Sequence, residues 1–312
     1  MKIVIDTLGS DNRLDAILDG VVESSKMQSK FDYVLVGPEK YITNYLNGKI
    51  DFKRLELINA EVEVDDYTNP FKMLRDLDDT ALVKALKRTN SSDTIGLLTQ
   101  SSTGCVIVGS IMHIGLVSKE LLTPILVCLI KDINLKDICL SDCGANINST
   151  SENLLNYAKY ANAFVKSFFA IDNPKIGLLS NGSSDNKGDN VIKGANKLLK
   201  ESDLNFVGNI EASNIFTSNI DVLVCDGMLG NVVLKNSEGV ARTIMNMTKD
   251  EKLHEDIMSH YGYSDLGSSF LLGTKKIVCK MHGNVSSLTI KTVTEKLIKL
   301  YENDYISKIE NI

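Results

Sequence analysis

Apolar positions along the 312-residue chain alternate between two kinds of stretch. Short β-branched runs lie at Lys2–Asp6, Asp32–Val36, Leu55–Asn59, Thr94–Leu98, Ile125–Ile130, Ile138–Asp142, Lys175–Ser180, Asn205–Val207, Asp221–Cys225 and Lys276–Met281, and each predicts a strand. Between most of them, apolar residues recur with a helical period, over Arg13–Lys30, Phe71–Arg88, Ser151–Phe168, Asn190–Glu201, Val232–Met247 and Ser286–Glu302. Runs that are apolar throughout, such as IVID, VLVCD and IGLLS, suit a sheet covered on both faces. The alternation predicts an α/β fold with a largely parallel sheet sandwiched by helices. No repeat and no Pro/Gly/Ser-rich linker interrupts it, so one α/β domain over residues 1–312 is expected.

Composition narrows the class. Hydrophobic residues make up 43% and charged residues 24% of the chain, which excludes disordered, collagen-like and coiled-coil proteins. Lys and Arg number 34 against 40 Asp and Glu, a net charge of −6 that gives no overall basic field for a nucleic acid. The longest apolar stretch, Cys105–Val117, is too short to span a bilayer, and the first residues read as a strand rather than a signal peptide; a cytosolic chain is expected. The six cysteines form no CxxC pair and the four histidines are scattered, so neither a zinc site nor a disulfide framework is expected.

Several predicted strands end in a small polar cluster with glycine just before a helix. These are Asp6–Asp11, Thr99–Gly104, Ser141–Asn146, Ser180–Asp185, Cys225–Gly227 with Gly230-Asn231, and His282-Gly283. In a parallel sheet such turns lie at the carboxyl ends of the strands, where ligands bind. Glycine admits close backbone approach and helix N-termini offer free N–H donors, so converging turns would make an anion site. Ordinary capped turns are the alternative reading of any one of them.

Three segments are more specific: Asn173–Asn190 with its SNGSSDNKGDN run, Asn205–Glu211 followed by Asp221–Lys235 with CDGMLGNVVLK, and the opening Met1–Asn12. Together they resemble the bacterial phosphate acyltransferase family of phospholipid synthesis, the acyl-acyl carrier protein:phosphate acyltransferases. The resemblance runs in order over nearly the whole chain. It implies a fold like that of isocitrate/isopropylmalate dehydrogenases and phosphotransacetylases, and transfer of a fatty acyl group from acyl carrier protein to inorganic phosphate. It also implies a homodimer and no metal or nucleotide cofactor. The partners implied are acyl carrier protein, inorganic phosphate, a second copy and, transiently, a membrane-associated acyltransferase; no nucleic acid is implied. Residue by residue, the family's GKGN matches Lys187–Asn190, GNVVLK matches Gly230–Lys235, the aspartate-rich opening matches Asp6 and Asp11, DVGAN matches Asp142–Asn146, and KxHG matches Lys280–Gly283. Departures fall at Ser10, at Gln100–Cys105, at Ser183–Asp185 and at Asn284–Ser286. The family's apolar helical hairpin is here a shortened, polar protrusion near 240–270. A stably inserted membrane tip is therefore not expected, and peripheral membrane contact stays open.

Phosphate attacking a thioester needs little acid–base help, because the thiol leaves readily and phosphate is already anionic. Positioning and fixed donors should dominate. Lys187 would meet the phosphate as a point charge, Asn231, at an expected helix start, would donate its amide, and His282 would protonate the departing sulfur; these are the catalytic candidates. Asp6, Gly9, Ser102, Thr103, Asp142, Asn146, Gly188, Asp226, Gly230 and Lys235 are the substrate- and phosphate-binding candidates. Cys105 and Cys143 are alternative acyl acceptors, with buried packing the blander reading. An acidic carrier needs a basic patch, for which Lys275, Lys276 and Lys280, or Lys84, Lys87 and Arg88, are candidates. A short-chain acyl-CoA phosphate acyltransferase and a catalytically impaired carrier-binding scaffold remain the alternatives. A dehydrogenase is disfavoured by the absence of GxGxxG after the first strand.

Overall fold

The computed structural model describes residues 1–9, 14–64, 68–76, 78–261, 268–283, 285–310 and 312. The chain divides into two compact units, residues 1–124 with 267–310, and 125–266 with the last two residues.

In the first unit, strands β1 (Lys2–Asp6), β2 (Asp32–Gly37), β3 (Leu55–Asn59), β4 (Thr94–Thr99), β10 (Ser268–Leu272) and β11 (Ile277–Met281) run in the order β3-β2-β1-β4-β11-β10. Among the described residues of this unit all pairings are parallel except that of β10 with β11. The helices are α1 (Leu14–Met27), α2 (Glu39–Leu46), α3 (Pro70–Asp76), α4 (Ala81–Thr89), α5 (Thr103–His113), α10 (Ser287–Glu302) and α11 (Tyr305–Ile309). Helix α4 packs on β4 and so does α10, which is why every residue of β4 is buried.

In the second unit, β5 (Ile125–Lys131), β6 (Asp137–Ser141), β7 (Ile176–Ser180), β8 (Phe206–Glu211) and β9 (Val222–Val224) run in the order β5-β6-β9-β7-β8. Among the described residues of this unit, β5 and β6 pair antiparallel and the other pairings are parallel. Helices α6 (Ser151–Phe169) and α7 (Asn190–Glu201) pack against each other and cover the sheet, and α8 (Gly227–Met247) leads into α9 (Glu251–Tyr261).

The α/β class and the largely parallel pairing follow the predicted alternation, and each predicted strand forms with its ends shifted by a few residues at most. Three differences have a clear physical reason. The predicted helix Phe71–Arg88 is two helices, because Thr80 is extended and bridges to Val62, whose carbonyl receives the Ala81 N–H. Strand β10 has no counterpart in the sequence reading; it forms by pairing with β11 across a turn in which Gly273 has φ +90°. Helix α8 starts at Gly227 rather than Val232, because the Asp226 carboxylate accepts from Leu229 N and caps it there. Among the described residues no helix is long and apolar enough to cross a membrane.

Candidate functional site

In the first unit the register aligns Ile5 with Leu98 and Thr99 with Lys280, so the carboxyl ends of β1, β4 and β11 share one edge. Asp6, Gly9, Ser102, Thr103 and His282 all fall along it. Asp6 is fully buried. Its Oδ2 accepts from Thr99 Oγ1 and Ser101 Oγ, both at 2.8 Å, and its Oδ1 accepts from Leu8 N. Burial raises the Asp6 pKa to about 6, against the pull of those three donors. The Gln100 amide donates to the carbonyls of Asp6 and Leu8, while its own buried Oε1 has no partner among the described residues. Gly9 takes φ +83° beside Ser101. Asp6 therefore ties the ends of β1 and β4 together, and its lone pairs are committed to the protein's own donors.

Two residues of this network, Gln100 and Ser101, belong to the turn that departs from the family pattern. Their roles were missed in the sequence. The signal was present, because both changes add side-chain donors beside a strand-ending aspartate. Ser102 follows as the N-cap of α5 and makes no side-chain capping bond, and Thr103 is the first helical residue; both are half-exposed. The first N–H groups of α5 lack intrahelical acceptors by position, so this helix start offers hydroxyls and amides together. Asp11, Ser10 and Asn284 lie outside the described residues.

In the second unit Ser141 and Leu178 both pair with Val224, so the ends of β6, β9 and β7 share an edge. Asp142 is fully buried there. Its Oδ1 accepts from Gly144 N and Ala145 N, and its Oδ2 from the backbone and side-chain nitrogens of Asn146. Burial raises its pKa, opposed by these donors. The N–H groups of Gly144, Ala145 and Asn146 are thus occupied by the loop's own carboxylate. The Asn146 carbonyl receives Gly227 N at 2.7 Å, which locks the loop to the start of α8. Gly230 faces the Asp142 carbonyl so closely that a Cβ would lie 1.8 Å from its oxygen.

Asn231 is exposed in the second turn of α8, not at its start, and Lys235 one turn further pairs with Glu238 at 2.9 Å. Lys187 is exposed in the turn between β7 and α7, and its stem lies along Gly182. Among the described residues it has no ion-pair partner. Gly188 holds φ +88°, and its N–H goes to Asn181 Oδ1 at 2.8 Å. Asp189 then caps α7 by accepting from Ile192 N.

The cysteines are all buried. Contact with Cys128 and burial push the Cys143 thiol well above its usual range, and burial does the same to Cys225. Of the two proposed basic patches, the one at Lys84, Lys87 and Arg88 is spent on neighbouring carboxylates, and in the other Lys276 is committed. Arg88 bridges Glu56 and Asp93 at 2.7 Å each, and its guanidinium holds the Glu56 carboxyl down at about 2. Lys84 pairs with Asp79, Lys87 with Asp78, and Lys276 donates to the carbonyls of Ser91 and Thr94.

The model of the fatty acid synthesis protein family matches residues 1–308. A phosphate acyltransferase of Clostridium novyi (strain NT) is 31% identical over 327 aligned residues, spanning 100% of this chain and 98% of the relative. A phosphotransacetylase from Streptococcus pyogenes superposes with a TM-score of 0.66 at 17% identity, covering 98% of this chain and 94% of its own. A 4-hydroxythreonine-4-phosphate dehydrogenase from Klebsiella pneumoniae does so with a TM-score of 0.54 at 11% identity, covering 96% and 97%. At those identities the two structures show a shared fold alone. The full-length match in sequence goes further, and with the GNVVLK and Lys187-Gly188 turns in place the chain belongs to the fatty acid synthesis protein family, that of the phosphate acyltransferases.

Proposed function

We propose that the protein transfers a fatty acyl group from acyl carrier protein to inorganic phosphate, releasing the carrier thiol and an acyl phosphate for phospholipid synthesis. The phosphate oxygen attacks the thioester carbonyl, a tetrahedral oxyanion forms, and the carbon–sulfur bond breaks as the carbonyl returns. No strong base is required, since phosphate is largely ionised near neutral pH. In this reading Lys187 and Gly188 hold the phosphate, the Asn231 amide meets the oxyanion, and His282 gives a proton to the departing sulfur. Ser102 and Thr103 offer hydroxyls at the start of α5. Asp6, Gly9, Asp142, Asn146, Asp226 and Gly230 hold the turns in shape. Lys235, paired with Glu238, is a helix-surface contact rather than the main anion ligand.

The observation that carries this reading is Lys187, an exposed ammonium without an ion-pair partner among the described residues, in a glycine-flanked turn of a chain whose family is the phosphate acyltransferases. The Lys187→Ala variant should keep its melting temperature and lose about 100-fold or more of acyl-phosphate formation, trapped with hydroxylamine. Unchanged turnover would remove Lys187 from the site. A donor panel separates the alternatives: product only from short acyl-CoA would replace the carrier, and no product from folded protein would favour a scaffold.

The assembly belongs to the same proposal. We take residues 1–312 as one functional domain, with α8 and α9 as the shortened protrusion, acting as a homodimer. Exposed Met228, Leu229, Val232, Val240, Ile244 and Met247 on α8 support an apolar self-contact. Light scattering that returns a single-chain mass would overturn it. A peripheral membrane position, with hand-over to a membrane-associated acyltransferase, would show as flotation with anionic vesicles.

A further inference from the structure

We propose that the outer face of α6 and α7 is the docking surface for an acidic protein that delivers the acyl thioester. The inference rests on the carrier-donor reading above and names the surface that reading requires. The chain as a whole carries a net charge of −6, so an acidic partner is repelled on average and needs a local positive field. Helices α6 and α7 carry Lys159, Lys166, Lys193, Lys197 and Lys200 against only two carboxylates, Glu152 and Glu201. The helices lie side by side: Ser151 Oγ donates to the Val191 carbonyl at 2.8 Å, and their amphipathic cores are buried beneath.

The lysines differ in how far they are committed. Lys200 is paired with Asp185. Lys197 reaches Glu201 only at 3.9 Å, with both side chains mostly exposed, so that pair is worth little. Lys166 and Lys193 are exposed, Lys159 is half-exposed, and none of the three has an ion-pair partner among the described residues. Lys193 and Lys197 are one helical turn apart on the same face. Lys187 stands in the turn that feeds this helix, so a protein seated on α7 sits next to the candidate phosphate lysine. The other two basic clusters are more committed. Lys84, Lys87 and Arg88 are neutralised by Asp79, Asp78, Glu56 and Asp93, and Lys276 is spent on two backbone carbonyls.

Charges at the rim of such a surface act mainly on the association rate and its salt dependence. The test is the double variant Lys193→Glu/Lys197→Glu, assayed by hydroxylamine trapping with two donors, an acyl-acyl carrier protein and the neutral acyl-pantetheine. With the carrier donor, kcat/KM should fall about tenfold or more at low salt, and the deficit should shrink as salt is added. With acyl-pantetheine it should not change. The matching reversal Lys84→Glu/Lys87→Glu should leave both donors unaffected. Wild-type turnover of the carrier donor with no loss in the Lys193/Lys197 variant would sink the surface and leave the carrier reading standing. An equal loss with both donors would show that the change acts on the site or the fold, and also overturns docking. If wild-type protein uses acyl-pantetheine but not the carrier donor, the carrier reading itself fails.

Discussion

Two glycines on α8 should respond oppositely to the same substitution. At Gly230 an added Cβ would lie 1.8 Å from the Asp142 carbonyl oxygen, 2.9 Å from its carbon and 3.0 Å from Cys225 Sγ. The helix or the carbonyl must therefore shift by more than about 1 Å, and both are backbone, so neither gives easily. That carbonyl also accepts from Cys225 Sγ, and the loop behind it is tied to α8 through Gly227 N. Overpacking of this kind costs about 3 kcal/mol at the upper end of its usual range. Alanine returns about 1 kcal/mol of helix propensity, which leaves a net loss of about 2 kcal/mol. At about 2–4 °C per kcal/mol, Gly230→Ala should melt roughly 4–8 °C lower. Gly239, further along the same helix, has nothing within 4 Å of its Cβ position. Gly239→Ala should gain up to about 1 kcal/mol and melt a few degrees higher. Thermal unfolding followed by circular dichroism measures both. Equal shifts, or an unchanged melting temperature for Gly230→Ala, would refute the claim that close approach of α8 to the Asp142 loop is what demands glycine. Gly230→Ala should also slow acyl-phosphate formation, since it displaces the start of the helix that carries Asn231.

The remaining predictions are separate. The Asp6 pKa is about 6 in the folded chain against an ordinary value of 3.8, so the native state binds the extra proton between those pH values. Stability from this group therefore falls as pH rises from about 4 to about 6, by an amount on the order of 3 kcal/mol. In Asp6→Asn that component disappears, and urea unfolding at pH 4.5 and pH 7 should show a wild-type-minus-variant difference that changes with pH; a constant difference would contradict it. Asp226→Ala removes the cap on Leu229 N and should cost about 1 kcal/mol, while Asp226→Asn restores most of it in the same urea assay. Cys143 is buried with a raised thiol pKa, so Cys143→Ala should retain turnover, and mass spectrometry of donor-treated wild-type protein should find no acyl group on Cys143.

The sequence by itself determined the strand and helix alternation, the buried character of runs such as IVID and IGLLS, and the polar turns at strand ends. Each of these rests on neighbouring residues: a two-residue or 3.6-residue period, or a glycine and a cap within one turn. The full-length family resemblance was readable for the same reason, because its motifs are contiguous. Tertiary structure decided what depends on partners far along the chain. Residues 62 and 80 meet and break one predicted helix into two. Strand β10 needs β11 beside it to exist as a strand. From its place at a strand end Asp6 is either a ligand or a loop-fixing group, and Thr99 and Ser101, more than ninety positions away, decide for the second by donating to its carboxylate. Asp142 is local in its bonds, yet its loop takes its place only when Gly227 and Gly230 close against it. Arg88 looks like part of a basic patch until Glu56 and Asp93 claim it. Periodicity is a local property that the order of residues carries directly. Whether a polar group is free for a substrate depends on which donors and acceptors the fold brings to it, and burial makes that satisfaction close to obligatory.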